Sequence, residues 1–395
     1  MNAATSLDIA VVGGGPVGAV AALALRDAGF SVAMVERGPP PRPFDPARYD
    51  ARVYAIAPAS ARLLESLGVW PAIAAARISP YGRMQVWERA AELGLRFDAT
   101  DSGHAALGWI IEQGLIVAAA WQELGDLPCH AGVDAESVRW PEDDGECPTL
   151  RLSNGVELRP RLIVAADGAD SPLRAQAGID VTTWTYAQRA IVAQVQVSDA
   201  RPATAYQRFL PTGPLAFLPQ SDGRHSIVWS ADTDRADDLL ALDDAAFAAE
   251  LGEASQYALG DVLEVSSRQA FPLRLLHAAD YHRPGLVLVG DAAHAIHPLA
   301  GQGANLGFAD VAQLAATLSS ARDAGRDWSA PRTLSAYARA RKAGNLEMLA
   351  LTDGLYRGFG LKLPLLRDLL GVGLEAVNRI PPLKGLLAQQ ATARR

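Results

Sequence analysis

The sequence predicts an α/β chain: a parallel sheet flanked by helices, an inserted and mostly antiparallel sheet, and a helical C-terminal region. Two glycine-rich turns and the pattern between them carry that reading. The first turn follows Ile9-Ala10-Val11-Val12, a short apolar run typical of a buried strand, and precedes an Ala/Leu-rich helix through about Ala28. The second follows Leu286-Val287-Leu288-Val289 and precedes an apolar helical segment from Leu306 to Leu318. Between them, Val192 to Val197, Tyr206 to Leu210, Leu215 to Leu218 and Ser226 to Trp229 are short alternating or aromatic runs separated by Gly and Pro.

The first turn reads Gly13-Gly14-Gly15-Pro16-Val17-Gly18, which is G-x-G-x-x-G between a strand and a helix. Gly13 permits the tight turn, Gly15 lets the backbone approach a pyrophosphate, and Gly18 lets helix and sheet pack closely. A second strand, Ser31 to Val35, ends at Glu36, at the spacing expected of an acid on an adenosine ribose. Together these make a Rossmann-like dinucleotide site; an ordinary Gly-rich turn is the bland alternative.

The second turn reads Gly290-Asp291-Ala292-Ala293-His294-Ala295-Ile296-His297-Pro298-Leu299-Ala300-Gly301-Gln302-Gly303-Ala304-Asn305. It puts a carboxylate at a strand's C-terminal edge and free N–H groups at a helix start. The carboxylate suits a ribitol hydroxyl. The helix start suits the N1/C2=O edge of an isoalloxazine ring, which becomes anionic on reduction.

The nucleotide-binding unit is expected in three pieces, residues 1–75, 105–180 and 275–322. A substrate unit takes 76–104 and 181–274, and a helical region takes 323–395. Gly38-Pro39-Pro40-Pro41-Arg42-Pro43 is a loop, and a helix begins near Pro58 and ends at Leu67-Gly68. Met84 to Trp87 reads as a strand, and Gly108 to Gln113 as a return to helix. Arg161 to Ala166 is a buried strand ending in Asp167-Gly168, and Ser171-Pro172-Leu173-Arg174 starts a turn or short helix.

At 395 residues and 49 % hydrophobic content the chain is long enough for two domains and a substantial core. A net charge of −8 argues against a general nucleic-acid binder. Cys129 and Cys147 form no C-x-x-C, and with seven scattered histidines they suggest no metal site. No signal peptide and no membrane span are expected, so a cytoplasmic location is. One region complicates this. From Leu355 to Arg395 seven basic residues face two acidic ones, interleaved with leucines. Such a segment suits an anionic membrane surface, peripherally on its inner face, or a partner protein. Packing on the nucleotide-binding unit is the alternative.

In order, Gly13 to Gly18 with Glu36, then Asp167-Gly168, then Gly290-Asp291 resemble the class A flavoprotein monooxygenases, the group that includes p-hydroxybenzoate hydroxylase. His297 to Gly307 is similar to the ubiquinone-biosynthesis (polyprenylphenol) hydroxylases. So are Asp50-Ala51-Arg52, Trp87-Glu88, Leu107-Gly108, Ile111-Glu112 and Gly213 to Pro219. The resemblance spans about residues 7 to 387. One departure is Gln113, where that family usually carries Asn.

The resemblance implies a p-hydroxybenzoate hydroxylase-like fold, tightly held FAD, and NAD(P)H as a transient reductant without its own nucleotide fold. It implies hydroxylation of a polyprenylated phenol by a flavin C4a-hydroperoxide formed from O2. A ubiquinone-biosynthesis complex reached through the basic C-terminal tail, and a homo-oligomer, are the further expectations. The expected cofactor contacts are Gly13, Gly15, Gly18, Glu36, Arg37, Arg52, Gln113, Asp167, Asp291, Pro298, Gly301, Gly303, Ala304 and Asn305. Among them Arg52 would reach the pyrophosphate, because a guanidinium pairs with phosphate oxygens. Asp291 would bind the ribitol chain or cap a helix. His297 is the catalytic candidate, although a histidine there can simply bond neighbouring carbonyls. Phe209, Leu215, Phe217 and Trp229 are candidates for an apolar substrate wall or for ordinary sheet core. The competing functions are an FAD hydroxylase of a small soluble aromatic, and a non-catalytic flavin-binding scaffold.

Overall fold

The computed structural model describes residues 7–88, 94–141, 146–295 and 303–360. The parallel sheet runs in the order His282–Arg283, Leu286–Leu288, Pro160–Ala165, Leu7–Val12, Val32–Glu36, Cys129–Ala131. Only the His282–Arg283 edge is antiparallel. The strand Leu7–Val12 lies at its centre, paired with Val32–Glu36 on one side and Pro160–Ala165 on the other. Ile9, Ala10, Val11 and Leu162 to Ala165 are wholly buried, as strands covered on both faces must be. The helices Pro16–Asp27, Gln113–Leu124 and Gly303–Asp323 contribute to the same core, including Val20, Leu23, Ile116, Phe308 and Leu314.

A second sheet of nine strands is antiparallel except where Thr204–Leu210 meets Arg83–Trp87. Its spine is the long strand Val181–Val197, which pairs with Gln269–Ala278, His225–Asp232 and Val262–Val265. Two helices, Thr233–Ala241 and Asp244–Ser255, cover one face and bury Leu239, Phe247 and Leu251 against it. The alternating pattern of this region gave no sign of them.

The helix expected from Gly108 to Gln113 is corrected. Gly108–Glu112 is a strand, and the helix begins at Gln113. The strand pairs with Val53–Ile56 on one side and Ser79–Tyr81 on the other. Burial on both faces erases its alternation, so periodicity alone does not separate it from a helix. The excursion from residue 76 divides: Ser79–Tyr81 stays in this small sheet, and Arg83–Trp87 and Leu95–Asp98 join the large one. The C-terminal helix runs from Pro331 to Gly360. The basic segment beyond it lies outside the described residues.

Candidate flavin site

The first glycine turn separates two jobs. Gly13 has φ +109°, and a Cβ there would lie 2.3 Å from the Ala166 carbonyl oxygen. A Cβ on Gly18 would lie 1.8 Å from the Gly13 carbonyl oxygen. Both positions therefore let strand, turn and helix close on each other. Gly15 caps the helix with an ordinary φ of −68°, and a Cβ there meets nothing within 4 Å. Its missing side chain clears the space before a helix start, where an anion binds. Glu36 sits beside the turn: its carboxylate accepts from the Gly14 and Gly38 amides, the latter at 2.7 Å. Trp121 donates to the Gly14 carbonyl at 2.7 Å and fixes the other side. Arg37 instead pairs with Asp134 at 2.8 Å, with both side chains largely exposed.

Arg52, Gln113 and Tyr54 form the next cluster. The Arg52 guanidinium lies 4.7 Å over the Phe271 ring and donates to Gln113 Oε1 at 3.3 Å. The Tyr54 hydroxyl donates to the same oxygen at 2.8 Å. Burial pushes Tyr54 up to about 12; Arg52 opposes this and Asp291 adds to it. Behind the cluster, buried Glu112 pairs with Arg77 at 3.0 Å and accepts the Asp50 amide at 2.6 Å. That contact fixes the loop entering Arg52. Burial raises the Glu112 carboxyl, against the Asp50 amide and Arg77.

Asp167 accepts the Leu173 amide at 3.2 Å through Oδ2, while Oδ1 is buried with no hydrogen-bond partner among the described residues. Burial raises its carboxyl, against the Ser171 hydroxyl, the Leu173 amide and Arg174. Arg174, expected only as part of a turn or short helix and found in the helix Pro172–Gln176, donates to the Ala292 carbonyl at 2.9 Å and the Ala169 carbonyl at 2.8 Å. It thereby ties the Asp167 turn to the Asp291 turn. Asp291 is exposed by surface area, yet surrounding protein raises its carboxyl against the pull of His294, Arg52 and Arg274. Both hold for a carboxylate on the floor of an open cleft. The short turn that carries it is capped by Val289, not by Asp291.

Asn305 is buried, and its side chain bridges to the other cluster. Its Oδ1 accepts the Ala57 amide at 2.9 Å and its Nδ2 donates to the Ala55 carbonyl at 2.8 Å. Ala304 is buried beside it, and a Cβ on Gly303 meets nothing within 4 Å. His297, Pro298 and Gly301 lie outside the described residues. His294 is buried and its Nε2 lies 2.5 Å from Asp310 Oδ2.

The strands of the large sheet sort the substrate-wall candidates by face. Leu215, Phe217 and Trp229 are at most 2 % exposed and belong to the core shared with Phe247 and Leu251. They point at the helices. Phe209 pairs with Pro214 and lies on the opposite face, as do Ala216, Leu218 and Val228, which are half-buried. Gln194 shares this face and donates to the Asp50 carbonyl at 3.1 Å. Ala190, on it too, is paired with Phe271, under Arg52. The Phe209 face is therefore the one turned toward Asp50 and Arg52, and the other three candidates are core.

These residues fit FAD. Gly15 leaves room at a helix start, Arg52 offers an exposed cation, Asp167 keeps a buried oxygen without a partner among the described residues, and Asp291 presents an exposed carboxylate. The FAD-binding-domain family model matches residues 6–350. The chain belongs to that family. The flavoprotein is 39 % identical over 385 residues to the 3-demethoxyubiquinol 3-hydroxylase of Escherichia coli K12, covering 97 % of each chain. It is 38 % identical to the ubiquinone hydroxylase UbiL of Rhodospirillum rubrum, covering 97 % of this chain and 89 % of that one. Its fold is similar to that of p-nitrophenol 4-monooxygenase from Pseudomonas putida DLL-E4, with a TM-score of 0.78 at 20 % identity over 99 % of both chains. The flavoprotein is an FAD-dependent monooxygenase with a Rossmann-like cofactor unit and an inserted antiparallel sheet.

Proposed function

We propose that this flavoprotein hydroxylates the ring of a polyprenylated phenol on the route to ubiquinone, using NAD(P)H and O2. The observation that carries the reading is its full-length similarity to the E. coli 3-demethoxyubiquinol 3-hydroxylase. Bound FAD supplies the redox chemistry, accepting hydride and activating dioxygen. One oxygen atom ends on the ring carbon and the other leaves as water.

The protein's share is binding, orientation and exclusion of water. Glu36 would hold the adenosine ribose, the amides at Gly15 and Arg52 the pyrophosphate, and Asp291 the ribitol. Asp167 Oδ1 would find its missing donor on the cofactor. The amides at the start of the helix Gly303–Asp323 would favour the ring edge that gains negative charge. Phe209, Leu218, Val228 and Phe271 would line the apolar wall against which a phenol ring lies. The basic stretch after Leu355 would place the enzyme at an anionic bilayer, where a polyprenyl chain resides. Among the described residues no helix is long and apolar enough to cross a membrane.

The test is the quinone intermediate that accumulates when the gene is deleted, read by mass spectrometry. A prenylated phenol short of one ring oxygen is expected, and its substitution pattern names the carbon. An unchanged ubiquinone profile would sink the substrate assignment while leaving the flavin site intact.

A further inference from the structure

Asp310 is 0 % exposed, in the middle of the helix Gly303–Asp323. A carboxylate there is costly unless every lone pair is engaged. Its two oxygens are engaged on opposite sides. Oδ2 accepts the Gly290 amide at 3.0 Å and lies 2.5 Å from His294 Nε2. Both groups flank Asp291. Oδ1 accepts Arg341 Nε at 2.6 Å and Asn345 Nδ2 at 3.3 Å, both from the C-terminal helix. Arg341 also donates to Asn345 Oδ1 at 2.9 Å, so the pair is locked before it meets Asp310. Asn345 reaches on to the Tyr281 hydroxyl at 3.2 Å, and Tyr337 of the same helix donates to the Leu288 carbonyl at 2.9 Å. Leu288 ends the strand that leads into Gly290.

We propose that Asp310 is a two-sided positioning residue through which Arg341 and Asn345 of the C-terminal helix set the Gly290-Asp291 turn for the FAD ribitol. The helix is thus part of the cofactor site without touching the cofactor. Burial alone would raise the Asp310 carboxyl; His294 and Arg341 outweigh it and hold it low. It therefore acts as an acceptor on both sides and does not relay a proton. A merely structural role would tie the helix down equally well through its apolar contacts. The specific arrangement differs in one respect: charge from Arg341 arrives at the oxygen pair that fixes the turn.

The inference rests on the cofactor placement above and not on the identity of the phenol, so its test reads FAD binding alone. Apoprotein of the full chain is titrated with FAD, following quenching of flavin fluorescence, and apoprotein melting is recorded separately. Asp310→Asn is expected to raise the FAD dissociation constant at least about tenfold, the scale of a lost charge-assisted hydrogen bond. Arg341→Met is expected to raise it severalfold, with Arg341→Lys recovering part of the loss. The deciding measurement is a double-mutant cycle of Arg341→Met with Asp291→Asn. If Arg341 acts through the turn, its effect on affinity largely disappears once Asp291 is gone. Leu346→Gln, at an exposed position on the same helix, is expected to change nothing. Fully multiplicative effects of Arg341→Met and Asp291→Asn overturn the proposal. So does a folded Asp310→Asn apoprotein with unchanged affinity. If Asp310→Asn does not fold, the Arg341 cycle alone decides.

Discussion

Alanine at Gly15 and at Gly18 of the first turn separates cofactor binding from folding. At Gly15 the backbone already has φ −68° and ψ −174°, which alanine adopts freely, and its Cβ would meet no protein atom within 4 Å. Gly15→Ala should therefore leave the apoprotein as stable as before, or stabilise it by up to about 1 kcal/mol through a less flexible unfolded chain. The methyl would occupy the space from which the pyrophosphate approaches the helix start. Losing one charge-assisted backbone contact costs roughly 1.5–3 kcal/mol, so the FAD dissociation constant should rise about ten- to a hundredfold. Gly18→Ala should behave in the opposite way. Its Cβ would stand 1.8 Å from the Gly13 oxygen and 3.1 Å from the Ala166 Cβ, so strand and helix must part. Overpacking of that kind costs about 1–3 kcal/mol or more, and the loss should appear in the apoprotein. The assay is urea unfolding of each apoprotein alongside FAD titration. A Gly15→Ala protein that binds FAD with unchanged affinity would refute the role given to that space.

Three other outcomes follow from the same structure. His225 is 1 % exposed, and burial depresses it to about 4 from 6.5, with Asp222 opposing. Below pH 6.5 the unfolded chain takes up this proton and the folded chain does not, so stability should fall with pH, by up to about 3 kcal/mol near pH 4. His225→Phe should flatten that limb between pH 7 and 5 in urea melts; an unchanged slope would assign the acid sensitivity elsewhere. On the large sheet, Trp229→Ala should cost roughly 3–5 kcal/mol of stability as a core truncation. Its strand neighbour Val228→Trp should leave melting nearly unchanged and raise KM for the phenol. Equal behaviour of the two would mean that the faces are wrongly assigned. Finally, removing residues from 381 onward should weaken sedimentation with anionic liposomes and leave flavin content intact. Undiminished binding would remove the membrane contact.

What the sequence made legible was whatever chemistry forces locally. Gly13 and Gly18 cannot be replaced without collision, so their spacing survives as a readable motif, and Glu36 at the end of the next strand follows from the same turn. The face of the large sheet was not legible. Alternation says that Phe217 and Leu218 point in opposite directions, but both faces of this sheet are covered: one by the helix pair, the other by the Asp50 loop and the cofactor cluster. Bulk does not separate the faces either: Leu215, Phe217 and Trp229 fill the core under the helices, while Phe209, Leu218 and Val228 lie on the opposite face. Arg174 was hidden for a different reason. Its partners are the backbone carbonyls of Ala169 and Ala292, which carry no signature in the sequence. The link between Asp310 and Arg341 spans two helices whose apolar stripes dominate their pattern.

The network also bears on whether a side chain does the proton chemistry. Histidines beside a reactive ring invite an acid–base reading. His294, however, has Nε2 against Asp310 in a pocket shut off from solvent, with its ring stacked on Tyr281 at 6.0 Å. A group bound so tightly orients its own backbone; it has no access to a substrate proton in the cleft. His277 lies on the same side, 3.3 Å from the Tyr281 hydroxyl, and burial with Lys342 and His294 nearby depresses it to about 4. It stays neutral at physiological pH and faces the same network. The described histidines nearest the Gly290-Asp291 turn thus serve its geometry. That division suits an enzyme whose reactive power resides in its cofactor: among the described residues, the side chains of Asp310, His294 and Arg341 converge on one turn and the helix behind it.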